Sequence, residues 1–165
     1  MAEIVDLRLG RSVDAGAIAR MSRDLVEYGL PWRWTAGRVA SHIRRDDSVV
    51  LVASRPSRLV GFAIMDFGGE HAHLSLLAVH PAFRRAGLGR RLLSWLEISA
   101  REAGLGVVFA EVRERNADAR AFYARLGYRE LHRLRHYYGP EESALRLGRD
   151  LWEARHTPSP ESRQP

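Results

Sequence analysis

The run Arg84-Arg85-Ala86-Gly87-Leu88-Gly89-Arg90-Arg91 sets two glycines between two arginine pairs, just ahead of a segment with helical apolar spacing. A helix start leaves its first backbone N–H groups without intrahelical partners, and the helix dipole adds positive potential at the same place. Such a turn holds phosphate well, because glycine lets the main chain approach closely and guanidinium donates in pairs. Other residues suit proton transfer. Glu111 falls late in a strand-like apolar run, on the pleat side of Val107 and Phe109, where partial desolvation predicts a raised pKa. The Tyr123 phenol stays protonated at neutral pH and can donate. His73 competes with Glu111 as a base. Asn116, the one asparagine, shares a helical face with Arg120 and Tyr123, and suits either a helix N-cap or a ligand contact.

Several chemistries are excluded. The glycine turn has no Gly-Lys-Ser/Thr and no Gly-x-Gly-x-x-Gly, so it is neither a P-loop nor a dinucleotide fingerprint. With no Cys there is no disulfide framework, thiolate zinc site or cysteine nucleophile, and no metal is expected. All 26 Lys+Arg positions are arginine, against 20 Asp+Glu, so the net charge of +6 rests on guanidinium alone and Schiff-base chemistry is excluded. A GC-rich coding bias explains the composition. Outside 84–91 the arginines alternate with acids and no nucleic-acid motif occurs, so an RNA- or polyanion-binding module ranks behind a nucleotide cofactor. The first nine residues lack a signal pattern and no apolar run approaches the ~18 residues of a membrane span, so a cytoplasmic location is expected.

The elements that must position these residues follow from periodicity. The chain's 165 residues suit one domain, read as 1–156, with a disordered proline- and serine-rich tail at 157–165. Residues 4–9 alternate as a strand; Ala17, Ile18, Met21, Leu25 and Tyr28 then recur as one helical face that ends at Gly29. Thr35 caps a short second helix through Val39 and Ile43. Residues 48–53 and 58–67 form a hairpin, and 71–79 is a central strand apolar on both faces. A helix follows from Leu88, with Leu92, Trp95, Leu96, Ser99 and Ala103 inward and Glu97 turned away. Residues 107–112 are a strand. Residues 116–126 are a helix with Phe122 and Leu126 in its core-facing stripe, and 128–138 with 143–151 make a last antiparallel pair. The order is βααβββαβαββ.

With Leu76-Leu77-Ala78-Val79-His80-Pro81 before it, Arg84-Arg85-Ala86-Gly87-Leu88-Gly89 resembles the acetyl-CoA motif of the GNAT N-acetyltransferases, written Arg/Gln-x-x-Gly-x-Gly/Ala. Glu111-Val112-Arg113-Glu114-Arg115-Asn116, Ala121-Phe122-Tyr123 and Leu126-Gly127-Tyr128 are similar to that family's second motif, and the match spans most of 3–151. The resemblance implies an α/β (α+β) GNAT fold, a single mixed, mostly antiparallel sheet of about seven strands with four helices. It implies direct acetyl transfer from acetyl-CoA to a primary amine in a ternary complex. The cofactor would meet the backbone of Leu77, Ala78 and Val79, the amides and side chains of Arg84, Arg85, Ala86, Gly87, Leu88, Gly89 and Arg90, and Asn116 and Tyr123.

Within the family the Glu-Val-Arg and later Tyr motifs are most similar to ribosomal-protein N-terminal alanine acetyltransferases, which implies Glu111 as base and Tyr123 as acid. His73 with Ser75 resembles the His-x-His pair of arylalkylamine acetyltransferases, with half of the pair replaced. Trp32, Trp34 and Tyr138 fall where family members read the acceptor. A peptide or protein amino terminus is therefore the first acceptor class, and a polyamine or arylalkylamine the second, for a monomer or homodimer.

Overall fold

The computed structural model describes residues 4–153; the tail expected at 157–165 lies outside the described residues. β1 (Asp6–Leu9), β2 (Ser48–Arg55), β3 (Arg58–Phe67) and β4 (Ala72–Val79) pair antiparallel in turn. β5 (Val107–Arg113) lies parallel to β4, followed by β7 (Glu142–Asp150) and the edge strand β6 (Arg129–Gly139), so the order is β1-β2-β3-β4-β5-β7-β6. With α1 (Ala15–Met21), α2 (Ala36–Arg44), α3 (Leu88–Glu102) and α4 (Ala117–Arg125), this is the expected succession of elements. α1 and α2 cover one sheet face, where Ile18, Ala19 and Val39 pack with Val50, Val52, Phe62 and Ile64. α3 and α4 cover the other, where Leu92, Leu93, Leu96 and Tyr123 join Leu51, Ala63, Met65, Val108 and Leu147. Each large side chain fully buried there contributes about 1.5–3 kcal/mol of transfer free energy.

Two irregularities open the sheet at its centre. The β3–β4 register runs Phe67↔Ala72, Asp66↔His73, Met65↔Leu74 and then resumes at Ile64↔Leu76, so Ser75 is an extra residue in β4. The bulge reverses the alternation of side chains: Ala72 and Leu74 face the α3 side, and after it Leu77 and Val79 do, while Leu76 and Ala78 turn toward α1 and α2. That is why this strand reads as apolar on both faces. β4 and β5 pair only at Ala72↔Val108, His73↔Phe109 and Leu74↔Ala110. Past Leu74 the strands part, and the β4 backbone over 75–79 carries donors and acceptors with no ladder partner on the β5 side among the described residues.

Three expectations of periodicity are corrected. The first helix does not run on to Tyr28: Ser22–Val26 form a π-helical turn, closed by Glu27 N–H to Ser22 O at 2.8 Å, and Tyr28 is 76% exposed. The wider turn carries the Glu27 carboxylate inward, where it accepts from Ser22 Oγ (3.0 Å) and the Arg33 amide (2.7 Å). In α3 the buried stripe is Leu88, Leu92, Leu93, Leu96, Glu97 and Ala100, with Trp95 toward solvent. Glu97 is tolerated inside because Arg149 of β7 donates to it. In α4 the buried residue is Tyr123, with Phe122 and Leu126 at the margin of the same core.

Candidate active site

The turn before α3 is shaped by two left-handed residues, Arg85 (φ 64°) and Gly87 (φ 76°), which swing the chain into the helix at Leu88. A turn of this kind aims successive N–H groups into one concavity and suits an anion. A Cβ at Gly87 would meet nothing within 4 Å, so its glycine serves backbone conformation. Gly89 has a different reason: a Cβ there would lie 3.3 Å from the Phe122 ring, so the glycine lets α4 approach α3. Leu88 is a core residue, available to a ligand through its main chain alone. The four arginines do not act as one cluster. Arg84 Nε donates to Val79 O (3.1 Å) and Arg91 Nη2 to Val5 O (3.1 Å), which leaves Arg85 and Arg90 as the cations beside the helix start. The sequence reading missed Arg55 and Arg58, whose guanidiniums stack 5.2 and 5.9 Å from the Phe83 ring centroid. The β2–β3 turn could have signalled them, since the Gly61↔Val79 register carries that hairpin past the end of β4.

Where β4 and β5 part lies a cleft of about 680 Å³. His73, Ser75, Leu77 and Glu111 line it from the sheet, Asn116, Ala119 and Tyr123 from the α4 side, and Tyr137, Tyr138 and Glu142 from the last hairpin. The fourth wall is the segment after α1, held by the Glu27 carboxylate through the amides of Arg33 and Trp34. Trp34 belongs to this wall and is buried, with His42 4.8 Å from its ring centroid and the Arg38 guanidinium 3.9 Å over it. Trp32 is outside the lining: it is 43% exposed, beneath Arg23. Burial and the neighbouring Tyr137 and Glu111 push the Tyr138 phenol up, so it is a hydrogen-bond donor throughout the neutral range.

Glu111 and His73, read from sequence as rivals, are joined. His73 Nε2 is 2.5 Å from Glu111 Oε2, and Arg146 Nη2 donates to Glu111 Oε1 at 2.8 Å. Burial pushes the Glu111 carboxyl up, but the hydrogen bond and charge of His73, with those of Arg146, outweigh it, and the pKa lies below its usual 4.5. The raised pKa expected for Glu111 is thus overturned, because His73 on β4 and then Arg146, its cross-strand partner on β7, supply hydrogen bonds and charge that the local sequence does not show. Tyr123 is pushed up by burial and then by Tyr138, so its hydroxyl keeps its proton. Asn116 is the N-cap of α4, its Oδ1 accepting from the Ala119 amide at 3.1 Å, which leaves its Nδ2 as donor. Arg120 does not share the cleft face with them. It turns to Glu130 (2.9 Å) and the Glu114 carbonyl (3.2 Å), and Ala119 takes its place in the lining. No group of three or more His, Asp or Glu among the described residues is arranged to hold a metal ion.

Residues 19–128 match the acetyltransferase (GNAT) family, and the chain belongs to that family. It is 41% identical over 81 residues to the ribosomal protein bS18-alanine N-acetyltransferase of Salmonella typhimurium, a stretch that is 49% of this chain and 55% of that protein. The chain thus spans about half the length of this relative. An uncharacterized N-acetyltransferase of Methanocaldococcus jannaschii is 38% identical over 140 residues, covering 84% of this chain and 87% of that one. Among solved structures, the ribosomal-protein-S18-alanine N-acetyltransferase of Escherichia coli superposes with a TM-score of 0.78 at 25% identity, over 93% of this chain and 98% of its own.

Proposed function

We propose that this protein transfers the acetyl group of acetyl-CoA to a protein or peptide amino terminus, by direct attack with both substrates bound. The observation that carries this is the gap past Leu74, where unpaired β4 backbone, the α3 turn and the proton-handling side chains open on one cleft. The residues fit the cofactor: the amides of residues 86–90 and the guanidiniums of Arg85 and Arg90 suit its phosphates, and the Leu77, Ala78 and Val79 backbone suits its extended amide arm, as a strand is added to a sheet edge. Asn116 adds a side-chain donor. When bound, acetyl-CoA supplies a thioester, an acyl electrophile with a thiolate as leaving group. The chain's own work is to move two protons. Glu111, coupled to His73, takes one from the acceptor ammonium so that the nitrogen carries a lone pair; Tyr123 Oη holds one for the departing sulfur.

Trp34 and Tyr138 wall the acceptor end, and Arg33 and Arg113 line it as well. No helix among the described residues is long and apolar enough to cross a membrane. Relatives named for a ribosomal protein support a cytoplasmic site of action. A small amine is the second reading, favoured by the aromatic lining of Trp34, Tyr137 and Tyr138. A thiol-release assay with peptides of varied amino termini, beside polyamines and arylalkylamines, decides between them. Turnover of peptides is expected, and turnover of small amines alone refutes the peptide reading. Thermal stabilisation by RNA and not by acetyl-CoA would refute both.

A further inference from the structure

The charges lining the cleft do not cancel. Its carboxylates are already engaged within the protein: Glu111 with His73 and Arg146, Glu142 with Arg113 at 3.5 Å, and Glu27 with Ser22 Oγ and the amides of Arg33 and Trp34. Of the four arginines in the lining, Arg113 also donates to Val26 O at 2.7 Å, whereas Arg33, Arg38 and Arg115 have no carboxylate partner among the described residues. Arg115 adjoins Asn116 and so falls at the proposed cofactor end. Arg33 and Arg38 are then the uncompensated cations of the acceptor wall, one on the segment after α1 and the other in the first turn of α2.

Both are set in place. The Arg33 amide donates to Glu27 Oε1 at 2.7 Å, which fixes its backbone on the wall that Glu27 anchors. The Arg38 guanidinium lies 3.9 Å over the ring of the buried Trp34. Local structure adds to their field. Arg38 is the third residue of α2, its amide donates to the Thr35 cap, and the first turn of that helix holds no Asp or Glu. A cation at the positive end of a helix dipole is unfavourable until an anion joins it. Arg33 also bears on the neighbourhood of the proposed base. Burial and then Glu111 push the Tyr137 phenol up, and Arg146 and then Arg33 pull it down, so Glu111 and Arg33 act on one hydroxyl. An acceptor nitrogen at Glu111 thus has a guanidinium within a short stretch of extended chain, which advances ~3.3 Å per residue. We propose that Arg33 and Arg38 select acceptors with a carboxylate close to the reacting amine, namely peptides with Asp or Glu at the second or third residue. A guanidinium meets a carboxylate through two parallel hydrogen bonds, whereas a basic residue there, or a polyamine, brings like charges together.

The inference rests on the proposed function and narrows its acceptor class. The test is thiol release from acetyl-CoA with octapeptides that share an amino-terminal Ala and carry Glu, Gln or Arg at the second, third or sixth residue. At the second and third residues KM is expected to rise severalfold from Glu to Gln and at least about tenfold from Glu to Arg, with no such order at the sixth. The spread should narrow as salt rises, because both arginines are exposed. Arg33→Gln should shrink it. Joint Arg33→Glu and Arg38→Glu should invert it, a result that damage to the fold cannot produce; Arg38→Glu also suits the helix start capped by Thr35. Calorimetric binding of acetyl-CoA to each variant checks that the cofactor end persists. Equal KM across the charge series in the wild type, or the wild-type order kept in the double variant, overturns the inference and leaves peptide acetylation standing. If no peptide is acetylated, the proposed function falls and the inference falls with it.

Discussion

The α3 turn and the Glu111–His73 pair lie at opposite ends of β4, and they draw on different reaches of the chain. The turn takes its donors from backbone amides of consecutive residues, shaped by Arg85 and Gly87 in left-handed conformation. The pair and its arginine come from β4, β5 and β7, and a fourth strand, β3, reaches His73 through Ser75. Backbone donors survive most side-chain changes, so the turn is vulnerable at few positions. A site made of side chains on different strands depends on register, since a slip of one residue sends a side chain to the other face. Substitutions at the cleft should therefore change the rate steeply, and those at the turn should change cofactor affinity gently.

The steepest break should come at Tyr123. Tyr123→Phe keeps the packed ring and removes the proton; kcat is expected to fall by about 10²–10⁴-fold, with acetyl-CoA binding by calorimetry unchanged. Full turnover would take Tyr123 out of the acid role. Glu111→Gln should follow, with kcat/KM down by about 10²-fold. This variant also carries a stability signature. The Glu111 pKa in the folded chain is below its usual 4.5, so its contribution is complete above that value and is lost as pH falls through the lowered one. Urea unfolding of wild type and variant across the acid range should show a smaller acid loss in the variant; parallel curves would refute the ion-pair assignment.

At the turn, Gly87→Val forces a β-branched residue to φ 76° and should cost roughly 1–2 kcal/mol, read as a lower melting temperature and weaker acetyl-CoA binding, with the pH profile of turnover unchanged. Gly87→Asn should be far milder, and equal damage from both would point to side-chain volume instead of conformation. The smallest effect should come from joint Arg85→Ala and Arg90→Ala: a severalfold loss in acetyl-CoA affinity that shrinks as salt rises, with kcat kept, because exposed charges are screened. A loss of kcat there would erase the contrast between the two regions.

Most of the architecture was legible because its signals are local. The Gly87 and Gly127 breaks, the Thr35 and Asn116 caps and the apolar strand runs each depend on a few neighbouring residues. The errors fell where a distant partner intervened. Glu97 reads as a solvent-facing residue until Arg149 is brought beneath α3, and Tyr28 reads as core until Glu27 widens the turn before it. Arg120 keeps its spacing with Asn116 and Tyr123, yet Glu130 on β6 draws it away from the cleft. Trp32 and Trp34 are alike in sequence, and packing alone separates the cleft wall from the outer surface.

Residue order by itself determined the succession of strands and helices, the left-handed glycine that opens α3 and the cap that opens α4, because periodicity, capping and backbone conformation act over a turn or two of chain. Only the tertiary structure decided that Glu111 and His73 are partners, that the Glu111 carboxyl is more acidic than usual and that Ser75 links His73 to Asp66. A pKa is set by whichever charges and lone pairs lie within a few ångströms, and here those come from four strands whose register no stretch of the sequence displays alone.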